Sequence, residues 1–292
     1  MPLVTSDQMQ HTISKEVVFK GIGLHTGNKC LARFKPAPAG AGISFVRIDL
    51  PDKPVLPAHF SGVSSVIRGT TLNKNDVKVH TVEHMLSALQ GLNIDNVVIE
   101  MDANEPPVAD GSARPFVELL QQAGRTAQDR PRQYLTTDQP IVYTAGETTL
   151  RLDPAEVLTV DCTVQFKHPL IGEQKLSVVV TPESFLRDIA PARTFCFDYE
   201  VEALQRQGLA RGGSLDNAVV VGMNKIHNKE KKLRFPDEFV RHKIMDLLGD
   251  IYLIGFPIRA KITALRCGHG HNVNFVKLIA ERLLHPAPSA SN

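Results

Sequence analysis

Two helical segments of this sequence share one pattern. HMLSALQG occupies residues 84–91 and HKIMDLLG occupies residues 242–249, so each has a histidine and, seven residues later, a glycine. Strand-like runs lie near both segments, and a pattern that recurs with its surroundings indicates a repeated architecture. The sequence therefore predicts an α+β fold made of two similar two-layer sandwich domains, related by internal duplication, with the active site between them.

The boundary between the domains is predicted at RTAQDRPRQ, residues 125–133, which lacks a large apolar side chain and is typical of a linker. The predicted domains are residues 1–128 and residues 129–292, and the tail is expected to be disordered from about residue 286. Strands are predicted within 17–34 (two runs around GIGLHTG) and over 42–48, 97–101, 141–143, 148–152, 158–166 and 175–180, and helices over 81–91, 115–123, 200–207 and 238–248.

Composition excludes several classes of protein. Lys and Arg number 33 against 31 Asp and Glu among 292 residues, so a nucleic-acid partner is not expected. The four cysteines form no CxxC pair, which excludes a cysteine zinc knuckle and favours reduced thiols. The N-terminus lacks the apolar core of a signal peptide, and no run approaches about 18 apolar residues. We expect a monomeric cytoplasmic protein without stable membrane insertion.

The segment FVRHKIMDLLGD contains the strongest local group of chemically active residues. Positions i and i+4 share one face of an α-helix, so His242 and Asp246 can point to the same place, with Asp250 one turn further. A histidine and an aspartate at this spacing also occur as an ordinary surface pair. A third ligand is needed to distinguish a metal site from that alternative.

TVEHMLSAL offers the third ligand. His84 corresponds to His242 through the internal repeat, and two imidazoles with one carboxylate suit Zn²⁺ with a fourth position free for water. Glu83 is then placed as a general base, as the non-ligand glutamate is in HExxH enzymes. Its alternative role is that of a solvated acid favoured by the helix dipole.

Two other motifs contain histidines. GIGLHTG leads into a strand-like run rather than a helix, so we interpret it as a glycine hairpin and not as a dinucleotide-binding loop. His25 within it is more typical of a structural residue than of a ligand. CGHGHN places His269 and His271 in a turn of small residues, where an imidazole can be exposed to a site and HGH could bind metal weakly.

Further motifs resemble a known family over about residues 13–283. They are TVEHMLSALQGLNIDNVVIE, DGSARPFVELL, ARTFCF, GGSLDNAVVV and FVRHKIMDLLGDIYL followed by CGH. They resemble the bacterial UDP-3-O-acyl-N-acetylglucosamine deacetylases, the zinc amidases of the first committed step of lipid A biosynthesis. The resemblance implies two α+β sandwiches, each with an inserted element, and removal of acetate from a UDP-linked acylated amino sugar.

The resemblance also implies roles for the residues of the reaction centre. His84, His242 and Asp246 would hold zinc, the same three residues that the helical spacing and the repeat suggest. Glu83 would be the general base on the zinc-bound water, and His269 the general acid or oxyanion partner.

Other implied roles concern the surroundings of that centre. Asp250 would orient the imidazole of His269, and Thr194 would donate its hydroxyl to the developing oxyanion. The implied substrate contacts are Lys243, Phe166 against uracil, and Leu24, Phe195 and the AVVVGM stretch (218–223) around the acyl chain, with Leu209 as a further candidate wall. His271 is an extra imidazole compared with the family pattern, and the sequence leaves its role open.

Two other functions compete with a zinc amidohydrolase. A nucleotide-sugar-binding protein without catalysis would have no need for Glu83 and His269. Two histidines and one carboxylate also match the facial triad of iron(II) oxygenases, but a hydrolytic site needs an adjacent base, which Glu83 supplies. Zinc is therefore the expected cofactor, with Fe²⁺ as the alternative in the cell.

Overall fold

The computed structural model describes residues 2–284, so the tail predicted to be disordered lies outside the described residues. The elements of the first half are β1 (Leu3–Ile13), β2 (Val17–Ile22), β3 (Lys29–Pro36), β4 (Ile43–Arg47), β5 (Val55–Pro57), β6 (Val63–Ser65), β7 (Thr71–Lys74), β8 (Val77–Val79), α1 (Glu83–Gly91), β9 (Val97–Met101) and α2 (Arg114–Ala123). Those of the second half are β10 (Arg125–Leu135), β11 (Ile141–Ala145), β12 (Thr148–Pro154), β13 (Thr159–Gln165), β14 (Glu173–Val179), α3 (Pro182–Ser184), β15 (Phe195–Phe197), α4 (Asp198–Arg206), β16 (Val219–Val221), β17 (Ile226–His227), α5 (Glu238–Tyr252), β18 (Ala260–Leu265) and α6 (His269–Leu283).

Two five-stranded sheets have the same topology. The first has the order β2-β3-β9-β4-β5 and the second the order β11-β12-β18-β13-β14. In each sheet one pair of neighbours is parallel, β4 with β9 and β13 with β18, and the other pairs are antiparallel. The predicted α+β sandwich class is confirmed. The matching strand order agrees with the predicted internal duplication, which stays a prediction.

Helices cover one side of each sheet and join the two halves. α2 contacts β2, α6 contacts β11 and β12, and α5 contacts β13 and β14. α1 and α5 pack against each other, and most of the buried apolar side chains of both halves form one continuous cluster, beside a small second cluster around Val219, Val221 and Phe239. None of the helices within residues 2–284 has the length and apolar character needed to cross a bilayer.

Each half carries an insert. The first lies between β5 and α1, and the second lies between β14 and α5. The first insert, residues 58–82, contains the small antiparallel sheet β6-β7-β8. The second insert, residues 180–237, contains α3, α4 and the small sheet β15-β16-β17. The two inserts meet through the ion pair of Arg68 with Glu200, whose N···O distance is 2.5 Å.

The segment predicted to be a linker is a strand. Residues 125–133 form most of β10, which pairs antiparallel with β1 from Ile13↔Arg125 to Leu3↔Leu135. This two-stranded ribbon is largely exposed, so its sequence lacks the apolar alternation that marks a strand on a core. Arg132 is buried in this ribbon, together with Ile13 and Leu135, and its Nε donates to Asp95 Oδ1 at 2.8 Å. The domain boundaries themselves stay a prediction.

The repeated glycines lie at close contacts. A methyl group at Gly249, inside α5, would overlap the backbone carbonyl of Glu83 at the start of α1. A methyl group at Gly91, the last residue of α1, would overlap the ring of Phe185. Gly91 ends α1, whereas Gly249 lies inside α5. Because Gly249 has no side chain, α5 can approach the backbone of α1 closely.

We expect Gly249→Ala to lower the free energy of unfolding by about 1–3 kcal/mol, because the added methyl group must displace backbone atoms of α1. The matched control is Gly270→Ala in α6, where the nearest atom outside the helix, Val66 Cγ2, lies at an ordinary 3.5 Å. That control should be neutral or stabilising, because alanine favours the helix. Urea unfolding measures both, and equal stabilities for the two variants would contradict the close contact.

Candidate active site

Three predicted metal ligands come together where α1 and α5 cross. His84 is in the first turn of α1, and His242 and Asp246 are one turn apart on α5. Asp246 Oδ1 lies 3.4 Å from His242 Nε2 and 3.7 Å from His84 Nε2. All three side chains are buried, and one ligand atom from each lies within 4.8 Å of the others. We call these three residues the ligand trio.

The chemistry of the ligand trio fits a divalent cation. Asp246 Oδ1 is buried without a hydrogen-bond partner, although buried carboxylate oxygens normally have one. Burial, with a contribution from His242, lowers the pKa of His84 to about 3, and burial lowers the pKa of His242 to about 4. Both imidazoles are therefore neutral near pH 7, the form that binds metals. Two nitrogens and one carboxylate oxygen suit zinc.

Glu83 lies beside the ligand trio at the start of α1. It is 2% exposed, and its Oε2 accepts a hydrogen bond of 2.9 Å from the backbone N–H of Thr70. The pKa of Glu83 is raised to about 7, chiefly by burial, which His269 opposes and the nearby carboxylates of Asp250 and Asp246 reinforce. A carboxylate with this pKa can accept a proton near neutral pH, as a general base must.

His269 lies beside both Glu83 and the ligand trio. Its Nε2 lies 3.8 Å from both Glu83 Oε1 and Asp246 Oδ2, and its Nδ1 lies 2.9 Å from Asp250 Oδ2. Burial lowers the pKa of His269, but the carboxylates of Asp250, Asp246 and Glu83 outweigh it and raise the pKa to about 10. The imidazole is thus held protonated and can act as an acid.

The turn predicted around His269 is instead the start of a helix. His269 is the first residue of α6 and Gly268 precedes it as the N-cap. The same helix carries His271, whose Nδ1 lies 3.2 Å from the hydroxyl of Tyr143 in β11. His271 therefore contacts the second sheet and is not among the metal-ligand groups of the described residues.

Two site residues were not predicted from the sequence. Thr70 donates its hydroxyl to Asp250 Oδ1 at 2.5 Å and its backbone N–H to Glu83, so it holds both carboxylates. Asn272 donates its amide to Asp250 Oδ2 at 2.9 Å. Thr70 belongs to the first insert and is distant in sequence from both carboxylates, so no motif identifies it. Asn272 lies three residues after His269, and this spacing, which places two residues on one face of a helix, is the sequence signal that identifies it.

The ligand trio lines a polar cavity of about 620 Å³, and an apolar groove of about 880 Å³ lies next to it. Four residues line both spaces: Leu24, Arg68, Thr194 and Phe195. The cavity also contains Lys243, Glu83 and His269, so these predicted residues share one site. The walls of the groove come mainly from the second insert, with Leu24 and His25 of the glycine hairpin and Arg68 of the first insert.

Some predicted substrate contacts have other neighbours. Lys243 lines the cavity, but its Nζ lies 2.8 Å from Asp246 Oδ2, so it pairs with a member of the ligand trio. Phe166 packs against Phe195 and Phe197, with ring centroids 5.7 Å and 5.9 Å away, and lines neither space. Its stacking on uracil stays a prediction.

The AVVVGM stretch contributes only alternate residues to the groove. Ala218 and Val220 line it, whereas Val219 and Val221 are fully buried on the other side of β16. This alternation follows from the period of two of a strand. Leu209, a further candidate wall, is not among the lining residues, and neither is Met223.

His25 has a structural position in the glycine hairpin, where β2 and β3 pair as the sequence indicates. Its Nδ1 accepts a hydrogen bond of 3.4 Å from the N–H of Ala210, so its Nε2 donates to the carbonyl of Arg68 at 3.1 Å. His25 therefore links the hairpin to both inserts. It also lines the apolar groove.

Comparisons with known proteins agree with this geometry. A model of the family described as UDP-3-O-acyl N-acetylglycosamine deacetylase matches residues 10–281. The UDP-3-O-acyl-N-acetylglucosamine deacetylase of Anaeromyxobacter sp. (strain Fw109-5) is 44% identical over 92% of this chain and 88% of its own length. The protein of the same name from Teredinibacter turnerae is 42% identical over 94% of this chain and 90% of its own length.

A longer relative contains the same region. The bifunctional enzyme LpxC/FabZ of Chlorobaculum tepidum is 43% identical over 92% of this chain, which spans 63% of that relative. A match of this extent and identity establishes that the chain belongs to the family of UDP-3-O-acyl-N-acetylglucosamine deacetylases.

Proposed function

We propose that this protein uses zinc to hydrolyse the acetamide of UDP-3-O-acyl-N-acetylglucosamine and to release acetate, the first committed step of lipid A biosynthesis. The observation that carries the proposal is the buried ligand trio, flanked by Glu83 and His269, in a cavity that shares lining residues with an apolar groove. We further propose that the protein acts in the cytoplasm as a monomer. Release of acetate from this substrate, and its loss with a chelator, is the direct test.

The ligand trio would hold the metal. A zinc ion there would polarise the amide carbonyl and the attacking water. Fe²⁺ is compatible with the same donors. The role of the ligand trio would then be to bind the cation next to Glu83 and His269. The carbonyl of Ala192, 3.2 Å from His242 Nδ1, fixes the orientation of that imidazole.

The flanking residues divide the proton transfers. Glu83 takes a proton from the attacking water, and the N–H of Thr70 holds its carboxylate in place. His269 gives its Nε2 proton to the leaving amine, while Asp250 keeps Nδ1 oriented. The hydroxyl of Thr194, which lines the cavity, donates to the oxyanion that develops on the carbonyl.

The substrate occupies both spaces. The acyl chain lies in the groove, against Leu24, Phe195 and Val220, because only the groove offers a mainly apolar wall. Lys243 remains close enough to the cavity to contact the sugar or its phosphates while it pairs with Asp246. Uracil stacks on Phe166, which lies behind Phe195 at the edge of the site.

We expect Asp246→Asn to lose most of its bound zinc, because the neutral amide is a poor ligand and removes the charge that offsets the cation. His84→Ala and His242→Ala should lose it as well. The matched control is Asp153→Asn in β12, whose carboxylate pairs with Arg151 outside the site. Elemental analysis measures one metal per chain in the wild type and the control. If Asp246→Asn binds as much zinc as the wild type, Asp246 is not a metal ligand.

A bell-shaped dependence of kcat/KM on pH follows from the two flanking residues. The rate should rise as Glu83, with its pKa raised to about 7 by burial, becomes ionised. It should fall as His269, with its pKa raised to about 10 by carboxylates that outweigh burial, loses its proton. A divalent cation held by the nearby ligand trio would stabilise the anion and destabilise the imidazolium, so both limbs of the loaded enzyme should lie below these values.

Two variants test which residue causes each limb of the pH profile. Glu83→Gln should lose about 10²- to 10⁴-fold in rate while it retains zinc. His269→Ala should lose rate and displace the alkaline limb. If His269→Ala keeps the full rate and an unchanged alkaline limb, the acid is a different residue.

We expect Ala218→Phe to block the groove. Each buried methylene contributes about 0.8 kcal/mol, so exclusion of about three of them should reduce kcat/KM for a long-chain substrate by about 50-fold. A substrate without the O-acyl chain should react at the same low rate in the variant and the wild type. Ala145→Phe, which lines neither space, is the matched control. Equal losses for both substrates would show that the acyl chain lies elsewhere.

A further inference from the structure

The most exposed large apolar side chains of residues 2–284 lie on the two inserts. Ile67 and Tyr199 are each 70% exposed and Met223 is 67% exposed, whereas Val157, the next, is 52% exposed. Single exposed apolar residues are ordinary on a protein surface, but their concentration on one part of the molecule indicates an interaction site.

Contacts between the inserts connect the neighbours of these residues with one another and with the lining of the groove. The ion pair of Arg68 with Glu200 joins the residue after Ile67 to the residue after Tyr199. Gly222, next to Met223, faces the carboxylate of Asp198 at the start of α4. Leu215 lines the groove itself and is 48% exposed. We call Ile67, Tyr199, Leu215 and Met223 the apolar rim.

Three unpaired lysines come shortly after Met223 of the apolar rim in the sequence. The side chains of Lys225, Lys231 and Lys232 are exposed and form no ion pair with other described residues. The N–H of Lys229 donates to the carbonyl of Leu215 at 2.8 Å, which brings this lysine-rich segment to the apolar rim.

Acidic groups nearby do not cancel these charges. Glu200, Glu202, Asp216 and Glu230 are each paired with a cation of the described chain. Asp198 has no ion pair among the described residues. The region therefore has this one unpaired carboxylate and three unpaired lysines. The surface beside the apolar rim therefore has a local excess of positive charge.

We propose that the apolar rim and these lysines dock the protein on the surface of an anionic phospholipid bilayer. Exposed apolar side chains next to lysines match the boundary between acyl chains and negatively charged headgroups. The inference deepens the proposed function, because an acylated substrate held in the groove would enter and leave at the same boundary. The proposed contact is peripheral, and none of the helices within residues 2–284 is long and apolar enough to cross a bilayer.

Vesicle co-sedimentation tests the proposal with the metal-loaded full chain and without substrate. Vesicles of equal amounts of phosphatidylglycerol and phosphatidylcholine should bind the protein, and phosphatidylcholine alone should bind it far less. Each lysine near an anionic surface strengthens binding about fivefold, so Lys225→Ala/Lys231→Ala/Lys232→Ala should weaken it about 100-fold. Added salt should weaken binding by the wild type.

The contribution of the apolar rim is tested by Ile67→Ser/Tyr199→Ser. This variant should lose at least tenfold in vesicle affinity. The matched control is Val142→Ser/Val157→Ser, two exposed valines of the second half that should bind as the wild type does.

Three outcomes would overturn the proposal: no difference between the two lipid compositions, equal losses in the apolar-rim variant and its control, or a stable dimer in ultracentrifugation that the apolar-rim variant abolishes. The last outcome would identify a second copy as the occupant. Because no substrate is present, failure of docking leaves the proposed deacetylation untouched. Absence of acetate release together with vesicle binding would instead refute the proposed function alone.

Discussion

The close approach of α5 to the backbone at the start of α1 is the constraint on which the site depends. Gly249 has no side chain, so α5 lies directly against the carbonyl of Glu83. This contact sets His84 opposite His242 and Asp246, although the two helices belong to different halves of the chain. A shift of the helices by the width of one methyl group would separate ligands that now lie within 4.8 Å of one another.

Charge balance explains why so many ionisable groups can be buried together. The carboxylates of Glu83, Asp246 and Asp250 face two protonated groups, His269 and Lys243. Burying such groups without compensation is costly. Hydrogen bonds from Thr70 and Asn272 satisfy Asp250, but one oxygen of Asp246 has no partner. A divalent cation would give that oxygen a partner and would offset the one negative charge that His269 and Lys243 leave uncompensated.

The sequence predicts the ligands better than their supports. Helical spacing relates His242 to Asp246, and the repeat adds His84, because both are local patterns. Thr70 reaches Asp250 from an irregular insert, and only the tertiary fold determines such a contact. α6 was missed because its first residues, HGHN, are typical of a turn, and β10 because its exposed ribbon lacks apolar alternation. The identity of the metal and the place of uracil have no comparable local pattern.

The division between helices and inserts has a consequence for how such enzymes diverge. The ligand trio belongs to α1 and α5, which are fixed by the continuous core, whereas the walls of the groove come largely from inserts outside the two main sheets. Substitutions such as those at Ala218 or Val220 can therefore alter the length of the space without moving the reactive groups. On the proposed function, such substitutions would alter the acyl chain that the groove accepts, while the reactive groups on α1 and α5 keep their places.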